Sequence, residues 1–311
     1  MPRIPGPVCN RKGDVMVDPK LYSLLKIVET GSYTKAAEAL SLSQPAVSQH
    51  VRLLEEELSV RLFDRVRGGL RLTREGRIVV EYARRILSTY NNLDRALKNE
   101  KEQILSLTVG ITHTAESNTI VETLAAYGSL YEGMSIKVIT DSNDNLYARL
   151  RNEEIDFALV EGRIDDPSLH FLLLDTDSIV LAVSPNHPLS KRAKVTVDDL
   201  KKEKLILRLP DSNTRNLFRA SLETHNLRIE DFNVIMEIDN IATIKDLIRR
   251  GFGVSVLAKS ACMDEYRKGK LKILSIENLS MTRETCIVYS ASFDHPELLR
   301  EIAEKYQEMR V

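Results

Sequence analysis

A short polar face between Gln44 and Arg52 has the residue types that bind DNA. Gln44, Ser48 and Arg52 recur at four-residue spacing with Gln49 beside them, so a helix would present them together. Amide and hydroxyl groups recognise base edges in a major groove, and arginine binds phosphate. A buried stripe is predicted on another side from four apolar residues: Val47, Val51, Leu54 and Leu58. The same spacing also fits an ordinary three-helix bundle with a solvated polar face.

Two further helices must position this face. Leu21, Leu24, Leu25 and Val28 predict a first helix that ends at Gly31. Ser32 is placed to cap a second helix whose Ala36 and Ala37 would allow a crossing helix to approach closely. Ser43 would cap the third helix, with Pro45 in its first turn. The three segments together predict a helix-turn-helix.

A basic hairpin is predicted directly after these helices. Val66 and Leu70 flank Gly68-Gly69, a two-residue turn signal. Six arginines crowd the stretch: Arg61, Arg65, Arg67, Arg71, Arg74 and Arg77. A basic loop is usually only a solvated surface, but after a helix-turn-helix it is typical of a wing that binds phosphates or the minor groove.

The motifs over Lys20–Gly76 resemble the N-terminal domain of LysR-type transcriptional regulators. They are an alanine pair, Ser-Gln-Pro-Ala-x-Ser, Leu-Glu-x-x-Leu, Leu-Phe-x-Arg and Leu-Thr-x-x-Gly, in gapless order. The resemblance implies an α/β protein with an N-terminal all-α winged helix-turn-helix, a long linker helix and a C-terminal periplasmic-binding-protein-like effector domain of two α/β subdomains. We expect operator DNA to be bound by eleven residues: Ser32, Thr34, Gln44, Pro45, Ala46, Ser48, Gln49, Arg52, Arg65, Arg67 and Arg71.

The linker segment carries an apolar repeat with alternate steps of four and three residues. Its members are Val79, Ala83, Ile86, Tyr90, Leu93 and Leu97. We expect this heptad-like seam to pair two subunits, because the preceding domain is small and has its own core. The alternative is that the helix packs on its own domain. The resemblance also implies a dimer, and a tetramer joined through the effector domains.

The remaining chain alternates strands and helices, which predicts parallel sheets with helices on both faces. The predicted divisions are a disordered extension or tag (1–17), the winged domain (18–75), the linker helix (76–103) and the effector domain (104–311). Within the last, subdomain I takes about 104–173 and 277–311, and subdomain II about 174–276. Leu172–Asp175 and Lys272–Ile276 are the predicted crossings between subdomains.

Polar turns that follow strands or precede helices predict an effector site. Ligands of open α/β sheets bind beyond the carboxyl ends of strands, at helix N-termini. The candidate residues are Thr112, His113, Thr114, Ser142, Asn143, Glu161, Ser212, Asn213, Thr214 and Asn240. Helix capping alone would explain each turn taken singly. The acids Glu161 and Asp211 argue against an inorganic anion, so we expect a small polar or anionic metabolite.

Composition narrows the other possibilities. The 311 residues carry a net charge of −1 and no apolar run long enough to span a bilayer. The three cysteines, Cys9, Cys262 and Cys286, suit a reducing cytoplasm and have no metal-ligand spacing. Cys262 and Cys286 could form a redox pair, but the sequence favours their interpretation as two ordinary buried thiols. We expect no metal, no cofactor, no membrane partner and no enzyme activity.

Two alternatives to a LysR-type regulator stay open. The first is an enzyme or a ligand-binding protein with a DNA-binding appendage, although no nucleophile elbow, P-loop or dinucleotide motif is present. The second is a molybdate-responsive regulator, which can share a similar winged helix. The long α/β tail in two halves disfavours the second.

Overall fold

The computed structural model describes residues 17–310 except 67–68 and 117–118, and these form two compact units. The first unit holds the described residues up to Glu102 together with Asn152–Glu154. The second holds Gln103–Arg151 and the described residues from Ile155 onward. Most of the predicted N-terminal extension, including Cys9, lies outside the described residues.

The first unit consists of four helices and one hairpin. Its elements are α1 (Pro19–Thr30), α2 (Tyr33–Leu40), α3 (Gln44–Leu58), β1 (Phe63–Val66), β2 (Gly69–Leu72) and α4 (Arg74–Glu102). Gly31 ends α1 in the left-handed region, with φ 66°. The hydroxyls of Ser32 and Ser43 accept hydrogen bonds from backbone N–H groups in the first turns of α2 and α3, as predicted.

The apolar core of the first unit joins all four helices. Leu24 and Ile27 of α1, Ala36 of α2 and Val47 of α3 are fully buried. Alanine at position 36 leaves room for the crossing helices, as predicted. Helix α4 contributes Val80, Ala83 and Leu87 to the same core.

The join between hairpin and linker helix explains the Leu-Thr-x-x-Gly motif. The Thr73 hydroxyl donates to the Arg61 carbonyl at 2.6 Å and accepts from the Gly76 N–H at 2.8 Å. A Cβ atom at position 76 would lie 2.2 Å from the Leu62 carbonyl oxygen. Only glycine therefore lets the first turn of α4 approach Leu62, the residue before β1.

We expect Gly76→Ala to destabilise the first unit. Forcing a methyl group against backbone costs about 1–3 kcal/mol where the core cannot give way. Urea unfolding of the full-length protein, followed by circular dichroism, should move its transition to lower urea. The exposed neighbour variant Glu75→Ala is the control. Equal midpoints for the two variants would contradict the close approach.

The second unit begins with the first of two α/β halves. Its elements are β3 (Leu105–Ile111), α5 (His113–Glu116), α6 (Ile120–Leu130), β4 (Met134–Thr140), α7 (Asn143–Arg151) and β5 (Phe157–Glu161), together with β12 (Thr282–Ser290) and α12 (Pro296–Arg310). Strands β4, β3 and β5 are parallel, and β12 pairs antiparallel with β5. The strand apolar residues Leu107, Val109 and Phe157 pack with Ile302 of α12.

The other half repeats the same layered plan. Its elements are β6 (Leu169–Val183), β7 (Lys194–Val195), α8 (Val197–Lys201), β8 (Lys204–Leu207), α9 (Asn213–Glu223), β9 (Asn233–Glu237), α10 (Ile241–Arg249), β10 (Ser255–Ala258), α11 (Lys259–Arg267) and β11 (Lys272–Ile276). Two short 3₁₀ turns lie at Pro188–Lys191 and Ile229–Asp231. A core that includes Leu181, Leu205, Phe218 and Val256 is separate from that of the first half.

Long strands join the halves. The Leu169–Ser178 part of β6 pairs with β12, and its last residues pair with β10 and β11. The predicted crossing at Lys272–Ile276 is wrong, because β11 pairs with β6 and β7 inside the second half. The chain returns to the first half after Ile276. The first crossing lies slightly later than Leu172–Asp175, since these residues still pair with β12.

Candidate functional sites

The outer face of α3 is built as predicted. Gln44, Pro45, Gln49 and Arg52 are exposed, and Ala46 and Ser48 are partly exposed. Val47, Val51 and Leu54 are buried on the opposite side as predicted. The prediction is wrong for Leu58, the fourth member of the predicted stripe, which is the last residue of α3 and is 46 % exposed. The Gln44 amide donates to the Ser48 hydroxyl at 2.9 Å, which fixes the two side chains relative to each other. The helix thus presents a continuous polar surface of the size that a major groove accepts.

Acidic side chains at the other end of α3 are mostly occupied by protein partners. Glu55 accepts the Leu62 N–H at 2.7 Å, and Glu57 accepts from the Lys20 ammonium at 2.6 Å. Glu56 lies 3.6 Å from Arg52, with both side chains exposed. Such an exposed pair contributes little, so Arg52 remains available to a phosphate.

The remaining predicted DNA contacts lie on α2 and the hairpin. Thr34 is exposed in the first turn of α2, whereas the Ser32 hydroxyl caps that helix. Arg71 is exposed on β2, where its register partner is Asp64. Val66 pairs with Gly69, so Gly69 belongs to β2 and the predicted Gly68-Gly69 turn is wrong at that residue. Arg67 and the Arg65 side chain lie outside the described part of the chain.

Linker helix α4 divides into a buried side and an exposed apolar side. Ala83, predicted in the intersubunit seam, is only 1 % exposed because it packs in the core of its own unit with Val80 and Leu87. Val79 and Tyr90 are partly buried against the same core. Ile86, Leu93 and Leu97 remain exposed, and two residues outside the prediction, Ile78 and Tyr82, join them. We call these five residues the α4 stripe; each is 45–58 % exposed.

Glu161 is the hub of the cleft between the two α/β halves. Its carboxylate accepts the Thr112 hydroxyl at 2.6 Å, and both groups are buried. Its backbone carbonyl accepts the side-chain amide of Asn143 at 2.6 Å from the first half and that of Asn213 at 3.3 Å from the second. Four predicted effector residues from different turns therefore meet at one point, as the carboxyl ends of parallel strands and the helix N-termini require.

A buried arginine outside the predicted set of effector residues completes this hub. Arg283, at the start of β12, donates to the Thr214 hydroxyl at 3.3 Å. Its guanidinium also lies 3.8 Å from the carboxylates of Glu161 and Asp177. Asp177 is held in turn by the Ser260 hydroxyl at 2.7 Å. Arg283 thus links residues of both halves beside the strands that join them.

A second charged group spans the cleft. The imidazole of His113, in the first half, lies 3.9 Å from the Asp239 carboxylate of the second half. Asp239 accepts from Arg208 at 2.8 Å, and the Arg208 side chain is 3 % exposed. Arg208 was also missed, although an arginine directly after the apolar run of β8 was a usable signal. His113 therefore lies beside the ion pair of Arg208 and Asp239.

The other predicted effector residues serve mainly as caps. Ser142, Ser212 and Asn240 each accept a backbone N–H in the first turn of the helix that follows. Thr114 is buried in α5. Asp211 is exposed, outside this hydrogen-bonded hub. Because Ser142, Ser212 and Asn240 already accept backbone hydrogen bonds as caps, they have less capacity to bind a ligand than the residues of the hub.

The two described cysteines lie in separate cores. Cys262 packs within the second half and Cys286 within the first. Both are free and buried. Burial raises the pKa of the Cys262 thiol to about 12 and also raises that of Cys286. Such thiols are poor nucleophiles, which favours the interpretation as core residues.

Neither a metal cluster nor a membrane span is found in the part of the chain that the structure describes. No three metal-ligating side chains come together there. None of its helices combines the length and the hydropathy needed to cross a bilayer.

Two family models match the chain. Residues 20–77 match a bacterial regulatory helix-turn-helix protein of the lysR family, and residues 101–309 match a LysR substrate binding domain. An uncharacterized HTH-type transcriptional regulator of Methanocaldococcus jannaschii is 28 % identical over 294 residues, covering 93 % of this chain and 98 % of its own. A probable RuBisCO transcriptional regulator of Phaeodactylum tricornutum is 30 % identical, with 85 % of this chain and 88 % of its own covered.

Solved structures share the fold. CbnR, a LysR family transcriptional regulator, superposes with a TM-score of 0.65 at 17 % identity, covering 93 % of this chain and 97 % of CbnR. CbnR in complex with its target DNA gives a TM-score of 0.64 at 17 % identity, covering 93 % of this chain and 98 % of that one. A full-length OxyR variant of Pseudomonas aeruginosa gives 0.61 at 21 % identity, with 93 % of both chains covered.

Proposed function

Because the chain belongs to the LysR family of transcriptional regulators, we propose that it binds operator DNA as a dimer and that a small polar metabolite in the cleft changes this binding. The hub at Glu161 carries the proposal, since it joins both halves through polar contacts that a ligand can replace. DNA as the partner implies that the protein works where the genome is, in the cytoplasm. The relatives are transcriptional regulators, and we propose no catalytic role.

Helix α3 would enter the major groove with Gln44, Ser48 and Gln49 toward base edges. Pro45 and Ala46 lie on the same face and would contact the thymine methyl groups or the sugar edge. Ser32 and Thr34, at the start of α2, and the arginines of the hairpin would contact the backbone. This division separates residues that discriminate sequences from residues that supply affinity.

Replacing Gln49 or Ser48 with alanine should lower sequence discrimination more than total affinity. Removing one good hydrogen-bonding pair between side chain and base should lower discrimination by about 1–3 kcal/mol. Gel-shift competition between operator and nonspecific DNA measures the specificity ratio, which is the affinity for operator divided by the affinity for nonspecific DNA. Glu38→Ala, on the exposed side of α2, is the control. An unchanged specificity ratio in both variants would place the base contacts elsewhere.

Arginine-to-alanine changes at positions 52, 65, 67 and 71 should weaken binding to all sequences alike. Each arginine that neutralises a phosphate should, when removed, reduce the slope of log affinity against log salt by about one. Arg219→Ala, which removes an exposed arginine from the second unit, should leave the slope unchanged. A slope that persists after Arg52 and Arg71 are both replaced would show that these arginines do not bind phosphate.

Ligand binding would act through the two halves. A metabolite that binds one cleft geometry more tightly than another stabilises that geometry by the difference in binding free energy. The arrangement of the subunits would then shift together with the cleft. The spacing of the two α3 helices would change without any contact between ligand and DNA. Operator binding by the full-length protein, titrated with and without a metabolite that raises its melting temperature, tests this. If affinity and footprint stay constant at saturation with that metabolite, the coupling is absent.

A further inference from the structure

We propose that the cleft ligand is a small zwitterion of the α-amino acid class, with its carboxylate on Arg283 and its ammonium group on Asn143. The inference rests on the proposed function, because it names the chemistry of that same site. It follows from three features of the hub at Glu161: unsatisfied donors, an unsatisfied acceptor and the balance of charge.

The donors belong to Arg283. Its side chain is only 7 % exposed, yet Nε and Nη2 make no hydrogen bond with the described residues. The nearest carboxylates, those of Glu161 and Asp177, stay 3.8 Å from Nη2, beyond hydrogen-bond distance. Burying N–H groups of a guanidinium without hydrogen-bond acceptors is costly. A planar carboxylate matches two of its N–H groups at once, which makes it the fitting partner.

The acceptor belongs to Asn143. Its amide nitrogen donates to the Glu161 carbonyl at 2.6 Å, which fixes the orientation of the amide. Its Oδ1 atom is then left buried and without a hydrogen-bond partner among the described residues. That atom accepts only from an N–H or O–H group. A ligand that satisfies both sets of orphaned atoms must therefore carry a donor as well as a carboxylate.

Arg208 has orphaned donors too, but it is a weaker candidate for the carboxylate. Its Nε and Nη1 atoms are buried without partners among the described residues. Its Nη2 atom, however, donates to Asp239 at 2.8 Å, so its charge is already matched at contact distance. Arg283 has no carboxylate that close within the described chain. The carboxylate of the ligand is accordingly assigned to Arg283.

The charge around the cleft selects a neutral ligand over a dianion. Two buried arginines, Arg208 and Arg283, stand against the carboxylates of Glu161, Asp177 and Asp239. Arg215 pairs with Glu237 and adds no net charge. His113 beside Asp239 would offset the excess only when protonated. A dicarboxylate or phosphate would meet this negative excess, whereas a zwitterion supplies an anion to Arg283 and a cation to the acidic side.

Calorimetry on the full-length protein tests the ligand class. The probes are the common L-amino acids, the 2-hydroxy and 2-oxo acids with the same side chains, succinate and inorganic phosphate. An amino acid should bind, its 2-hydroxy acid should bind about 10-fold more weakly, and its 2-oxo acid, which lacks the donor, about 100-fold more weakly. Equal binding of the 2-oxo acid, tighter binding of succinate or phosphate, or no binding by any probe would overturn the proposal.

Two variants assign the groups. Arg283→Lys should weaken binding of the amino acid about 100-fold, because lysine cannot offer two parallel N–H donors to a carboxylate. Asn143→Ala should weaken it about 10-fold while the 2-oxo acid is unaffected, and this variant decides the matter if Arg283→Lys fails to fold. Arg219→Lys on the exposed face of α9 is the control and should bind normally. Unchanged binding in Asn143→Ala would overturn the assignment.

Operator binding by the same preparations separates this inference from the function on which it rests. Specific DNA binding together with a response to a non-zwitterionic probe would overturn the inference and leave the regulator intact. Loss of specific DNA binding in the unmodified protein would instead overturn the proposed function.

Discussion

The double substitution Ile86→Glu and Leu93→Glu should convert the protein to a monomer and abolish tight operator binding. Both positions lie on the exposed α4 stripe, which occupies about 100° of the helix circumference. A subunit contact there would bury both carboxylates, at an effective cost of several kcal/mol for each ion. Operator affinity should fall at least about 100-fold, because two half-sites are no longer bound as a unit.

Sedimentation of the full-length variant measures the dimer, and gel shift measures the operator. Asn91→Glu combined with Lys98→Glu is the matched control, since these positions keep the same seven-residue spacing on the opposite side of α4. It adds at least as much negative charge and should remain a dimer. If the Ile86 and Leu93 variant also stays dimeric, the stripe is not the subunit contact.

Thr112→Val should remove the metabolite response while ligand-free operator binding persists. The Thr112 hydroxyl donates to the buried Glu161 carboxylate at 2.6 Å, and a hydrogen bond to a charged group contributes about 1.5–3 kcal/mol. Its removal should lower the stability of the second unit and distort the hub. Thr214→Val should likewise remove the response, because Arg283 is then deprived of its hydroxyl partner.

Thr112→Ser and Thr214→Ser are the matched controls, because serine retains the hydroxyl. Thermal-shift screening with metabolite carboxylates, amino acids and aromatic acids measures the response in all four variants. The valine variants should show no shift with a compound that stabilises the serine variants. A compound that stabilises both valine variants would mean that it binds outside this hub.

Local sequence signals predicted most of the elements. Apolar periodicity and capping serines located α2 and α3, because both signals lie within a few residues of each other. Helix α11 (Lys259–Arg267) has no local start signal, because Ala258, the residue before it, offers no side-chain cap. The cap comes instead from Asp177, distant in sequence, whose carboxylate accepts the Ser260 N–H and hydroxyl.

Tertiary packing explains what the sequence could not predict about the sites. The apolar repeat of α4 has two faces, and only the three-dimensional core shows that Ala83 belongs to its own unit while Ile78 and Tyr82 stay exposed. The burial of Arg208 and Arg283 likewise depends on tertiary packing, since strands and helices are brought together around them from distant segments. The apolar run of β8 before Arg208 is a local signal, whereas no local pattern marks Arg283 as part of the cleft.

Competition binding to a selected operator is the most direct test of sequence-specific regulation by this protein. The full-length protein is used to select duplexes from a random pool, and its affinity for the winner is compared with its affinity for scrambled DNA at fixed salt. A ligand-responsive regulator of this design should enrich two half-sites about one helical turn or a multiple apart, and bind them at least about 10³-fold more tightly than scrambled DNA. No enrichment, or equal affinity for both duplexes, would show that the protein does not recognise a specific operator.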